Sequence, residues 1–143
     1  LFETYLSILE DSLDELEYET VCVLAFSVAL VGIDRRSFWI QVIREINSSG
    51  HQWYMRGLGL LTGACRRCLT PDSPFVGDPS VILEVLHHTG QQMLARSNEM
   101  TYQEATDLAQ ALSLLPISEV TGSESLPLLM SCCKAIQKAK GDF

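Results

Sequence analysis

The sequence lacks most of what a catalytic chain needs. It has no glycine-rich phosphate loop, because Gly57-Leu58-Gly59 stands inside an apolar run. No serine, histidine and acid can be assembled into a triad. His87 and His88 are adjacent, so on a helix they point apart and cannot chelate one ion together. Cys65-Arg66-Arg67-Cys68 is a CxxC, but there is no second CxxC and no histidine pair at zinc spacing. It falls at a helix end rather than after a strand, which removes the thioredoxin reading as well. The sequence therefore predicts no enzyme, no metal and no cofactor, and no small-molecule substrate. Five cysteines are an odd number, and Cys132 and Cys133 are neighbours, which does not suit a secreted disulfide framework. Cations are scarce too. Ten basic against eighteen acidic residues leave a net charge of −8, so any nucleic-acid contact must use a local patch. No segment alternates with period two, which excludes a strand-built fold, and no apolar run is long enough to predict a membrane span.

What remains is an apolar, helix-patterned chain of 143 residues, 47% of them apolar, enough for one domain spanning 1–143 with a sizeable core. It opens on Leu1 rather than Met, so a fragment or processed part of a longer protein is expected. The stretch Thr20 to Gly32 is apolar from Val21 to Val31 except at Ser27, and it predicts a helix buried all round. Before it, Phe2, Tyr5, Leu6, Leu9, Leu13 and Leu16 recur at helix spacing, with Glu3, Glu10, Asp11, Asp14 and Glu15 on the other face. After it come a helix carrying Phe38, Trp39, Val42, Ile43 and Ile46, stopped at Asn47 to Gly50, and another over about Gln52 to Arg67. Gly57, Gly59 and Gly63 in that helix predict close helix contact. A loop through Pro71 to Gly77 leads to Asp78-Pro79, an N-cap with proline at the first helical position. Thr101-Tyr102-Gln103-Glu104 is a capping box for a helix that stops before Pro116. A last helix from Ser123–Pro127 onward would bury Leu126, Leu129, Met130, Cys133 and Ile136.

The segments repeat. Leu24 to Val31 aligns with Leu108 to Leu115, small against small and large against large, at an offset of 84 (108 less 24). Val31 to Arg36 also aligns with Thr62 to Arg67, at an offset of 31. The fold expected is all-α, an α-solenoid of about three antiparallel helix pairs plus one leading helix, with a compact six- or seven-helix bundle as the alternative.

The run from Glu19 to Trp39, an apolar small-residue helix followed by Gly-Ile-Asp and Ser-Phe-Trp, resembles the degenerate helical repeats of organellar RNA proteins. These are the octotricopeptide and heptatricopeptide repeats, the latter found in FAST-kinase-like and RAP-domain proteins. Met100-Thr101 and Ala111 to Pro116 look like a further unit. The resemblance implies a structural or interaction module of a mitochondrial ribosome or RNA-processing particle in the matrix, although no RAP module is present. The alternative is a protein-only scaffold subunit of a respiratory or other membrane-bound assembly. Arg35, Arg36, Arg66 and Arg67 are the candidate contact residues. In the 31-residue register they line up on one edge, where guanidiniums would meet RNA backbone or the carboxylates of neighbouring subunits.

Overall fold

The computed structural model describes residues 2–70, 72, 79–114, 130, 133–134 and 136–138. The fold is all-α. Among the described residues six α-helices can be bounded, in order: α1 Phe2–Glu10, α2 Tyr18–Val31, α3 Arg36–Ser49, α4 Met55–Leu69, α5 Pro79–Ala95 and α6 Tyr102–Leu112. Single 3-10 turns at Leu13–Glu15, Gly50–Gln52 and Ser97–Glu99 join them. The loop through Pro71 to Gly77 (Asp72 aside), the Asp78 cap, Leu115-Pro116 and most of the last helix lie outside the described residues. Met130 and Cys133, expected in the core, are exposed, while Ile136 packs on it.

Local chemistry explains the helix ends. Gly32 takes a left-handed φ of 82°, and its N–H and that of Ile33 both donate to Val28 O at 3.0 and 3.3 Å. The capping box at α6 is complete: Glu104 N–H donates to Thr101 Oγ1 at 3.1 Å, and Thr101 N–H to Glu104 Oε1 at 3.0 Å. Two boundaries differ from the sequence reading. α1 stops at Glu10, so Leu13 and Leu16 reach the core from a turn and its exit; Tyr5 is exposed. α3 runs on through Asn47-Ser48-Ser49, where both serine hydroxyls donate to Glu45 O, and α4 starts only at Met55.

Direction follows from two contacts. A Cβ on Gly57 would stand 3.1 Å from Cys22 Sγ, and one on Gly63 would stand 3.6 Å from the Phe26 ring. The pairs rise together in number, so α2 and α4 run parallel, side by side. α3 spans roughly 21 Å at 1.5 Å per residue and carries the chain back between them. α6 meets α4 in the same sense, with Glu104 near Gly59 and Asp107 near Arg66. The C-terminal end of α3 lies against the C-terminal half of α5 through Gly50 and Gln92. Two rows result, α2–α4–α6 and α1–α3–α5, each helix packed on the next but one, with α4 and α5 in broad contact across the rows. Helical repeats pack in this way, and over six helices it is equally a two-layer bundle.

The core between the rows holds Phe38, Trp39, Val42 and Ile46 of α3, Leu58 and Leu61 of α4, and Ile82, Leu86 and Met93 of α5. Phe38 and Trp39 meet edge to face at 5.2 Å. Thr62 Oγ1 donates to Leu58 O and to Met93 Sδ, joining α4 to α5. Trp53 stacks on Tyr18 at 5.5 Å and donates its indole N–H to Ser49 Oγ, tying the start of α2 to the end of α3.

The expectation that Thr20 to Gly32 is buried all round is overturned. Val21, Cys22, Ala25, Val28 and Ala29 are buried, but Val23, Leu30 and Val31 are 56%, 47% and 57% exposed. The reason is position. α2 stands first in its row, so α4 covers one side and the row offers nothing for the other.

The close α2–α4 approach is testable. Gly57→Leu forces a side chain onto Cys22 and should destabilise the fold by about 1–3 kcal/mol. Gly59→Ala, whose Cβ meets only Glu104 at 3.9 Å, should stabilise it by about 1 kcal/mol. Thermal melts followed by circular dichroism should move in opposite directions.

Candidate functional site

The four arginines occupy unlike places in the helices. Arg35 precedes α3 and Arg36 is its first residue, whereas Arg66 and Arg67 sit in the last turn of α4. The 31-residue register that equated them fails, because it sets the end of α2 against the middle of α4. The 84-residue register holds: α2 begins at Tyr18 and α6 at Tyr102. Since α2 and α4 run parallel and α3 starts where α2 ends, both arginine pairs still lie at one end of the array.

Their partners differ. Arg35 Nε and Nη2 donate to Glu10 Oε2 at 2.9 and 2.7 Å, and Nη2 donates to Ser7 Oγ at 3.0 Å. Glu10 is buried, although the periodicity of α1 put it on the solvent face. Its Oε1 has no hydrogen-bond partner among the described residues. This carboxylate lies inward, and the chain meets the burial cost with a guanidinium from the link between α2 and α3. Arg36 is exposed.

Arg66 stands 4.0 Å from Asp107 of α6, with both side chains largely exposed, an ion pair worth little in water. Arg66 and Arg67 open on a cleft of about 270 Å³ whose other walls are Phe26, Gly63 and Thr70. The α4 C-terminus suits cations, since its unpaired carbonyls carry partial negative charge. The cleft therefore brings Arg66 and Arg67 to one opening with Phe26, over a stretch of helix with no side chain at Gly63.

A second hollow, about 500 Å³, lies at the opposite end of α2. Asp14, Glu15, Leu16, Glu17, Tyr18, Glu19 and Tyr54 line it. The helix periodicity sets Asp14 and Glu15 merely on the polar face of the first segment and gathers no cluster with Glu17 and Glu19. The signal was there: six acids and no base occur in residues 10–19.

The three buried cysteines, Cys22, Cys65 and Cys68, carry no thiolate at neutral pH. Burial pushes the Cys68 thiol up to about 12 from an ordinary 9.0 and Cys65 well up, Cys68 adding to the rise at Cys65. Cys22 is likewise pushed up to about 12 by burial and then by Glu19. Thiols in this state are poor nucleophiles and poor metal ligands. Among the described residues no three histidine, cysteine or acidic side chains gather as a metal site.

No family model matches the chain, and no curated protein or solved structure matches it at a significant level.

Arg35→Ala leaves Glu10 as an unpaired buried charge and should cost about 3 kcal/mol, whereas Glu10→Leu with Arg35→Met should recover much of that loss. Urea titrations of the three variants measure both. The raised thiols set a further expectation. Between about pH 9 and 12 the unfolded chain loses thiol protons that the native chain keeps, so stability should fall as pH rises through that window. Over the same window Cys22→Ala should flatten the fall, read as the slope of melting temperature against pH.

Proposed function

We propose that this chain is a helical-repeat interaction module of an organellar ribonucleoprotein, a component of a mitochondrial ribosome or RNA-processing particle in the matrix. On this reading it meets RNA backbone through Arg66 and Arg67 and neighbouring subunits through its helix faces, and it turns over no substrate. The observation that supports it is the cleft lined by Phe26, Arg66 and Arg67. Guanidiniums take phosphate oxygens in bidentate geometry, and an aromatic wall offers a stacking surface for an unpaired base. The module is a particle subunit rather than a free RNA-binding protein, because a net charge of −8 repels an isolated polyanion. Arg36 flanks the contact, and Arg35 drops out of it because Glu10 holds its guanidinium.

The Arg35–Glu10 pair favours a second reading, a protein-only scaffold subunit of a respiratory or other membrane-bound assembly. There arginines meet carboxylates, as Arg35 already does within the chain. No helix among the described residues is long and apolar enough to cross a membrane, so such a scaffold would be a peripheral subunit.

Crosslinking within the native assembly separates the two. On the first reading Arg66 and Arg67 should crosslink to RNA, and Arg66→Glu with Arg67→Glu should abolish the adduct while leaving the melting temperature within a few degrees. Binding of the isolated chain to single-stranded RNA should be weak, with a salt slope of about −1.4 for two phosphate contacts. Adducts to protein alone at both positions would leave the scaffold reading in its place.

A further inference from the structure

The solvent-facing side of α2 is apolar and one end of it is strongly acidic, and at its edge Glu19 and Val23 border Arg56, Gly57 and Leu60 of α4. Val23, Ser27, Leu30 and Val31 follow the i, i+4, i+7, i+8 spacing of one helix face, with the half-buried Leu24 at its edge. Val23, Leu30 and Val31 are about half exposed each. One turn back on the same face stands Glu19, and beyond it the acidic hollow with Glu15 and Glu17. Residues 10–19 hold six carboxylates and no cation, and of these Glu10 is held in an ion pair with Arg35. Glu45 of α3 adds to this field: burial and then the Asp14 charge push its carboxyl up. Arg56 of α4 borders Glu19, and the carboxylates at this corner still outnumber it.

We infer that this face docks an amphipathic helix of a partner protein, apolar along one side and carrying lysine or arginine at the end that meets Glu15, Glu17 and Glu19. The charge pattern argues for that occupant. A second copy of the chain would bring another net charge of −8 against the same surface. The row itself supplies the model for the contact, since α4 already lies along α2 on its other side and α6 along α4. From Val23 to Val31 the face runs about 12 Å, room for a little over two turns of a partner. The proposal does not depend on what Arg66 and Arg67 meet, which lie at the other end of α2.

The test uses the full chain and two fluorescent helical peptides of about 14 residues with one leucine stripe, one with lysine and one with glutamate on the remaining positions. Anisotropy titration should show the lysine peptide binding at least about tenfold more tightly than its glutamate twin. Val23→Ser with Leu30→Ser, both exposed positions, should weaken lysine-peptide binding by about tenfold with the melting temperature unchanged. Glu17→Gln with Glu19→Gln should erase most of the preference between the peptides and lower its salt dependence. Equal affinity for both peptides would overturn the proposal, as would serine variants that bind undiminished. Sedimentation showing a stable dimer that Leu30→Ser dissolves would overturn it too, assigning the face to a second copy.

Discussion

The close approach of α2 and α4 is the contact on which the array depends. Gly57 lets the α4 backbone come within reach of Cys22, at a distance that any side chain would have to push apart. With that contact and the Phe26–Gly63 contact made, the two helices lie parallel, and the chain between them has one way to return. α3 takes that path and forms the second row, where its Trp39 and Phe38 become the centre of the core. α5 and α6 then repeat the step, each against the helix two before it.

The same geometry distributes charge. Because α2 runs from the acidic turn toward Gly32, its N-terminal end carries the carboxylates and its far end leads to the arginines. Anions at the start of a helix and cations at the end of α4 both agree with the helix dipoles. The result is an array with a negative corner and, at the opposite end of α2, a pair of arginines at one cleft with Phe26.

Some buried polar groups have a specific partner that meets the cost, whereas the buried Trp39 Nε1 and Glu10 Oε1 have no hydrogen-bond partner among the described residues. Thr62 and Thr89 return their hydroxyls to the helix carbonyls four residues back. Glu10 relies on Arg35. The three buried cysteines answer differently: burial keeps them protonated, and they behave as small apolar side chains that let helices approach.

Helix content and most helix ends were legible in the sequence because they arise from short-range chemistry. The 3.6 periodicity from Phe38 to Ile46, the capping box at Thr101–Glu104 and the terminator Gly32 each act within a few residues, and each appears as expected. The 84-residue register was legible too, since α2 and α6 repeat one pattern of small and large side chains. Other features depended on what lies next to each helix. Composition alone makes Thr20 to Gly32 look fully buried, yet Val23, Leu30 and Val31 are exposed because α2 stands first in its row. Periodicity puts Glu10 outside, yet it lies buried against Arg35. The 31-residue register matched residue types that fall at a helix start in one copy and a helix end in the other. The sequence by itself determined which segments coil and where their small residues let them approach. The tertiary structure alone decided which faces are covered and which arginine is already held, because burial and ion pairing depend on neighbours far along the chain.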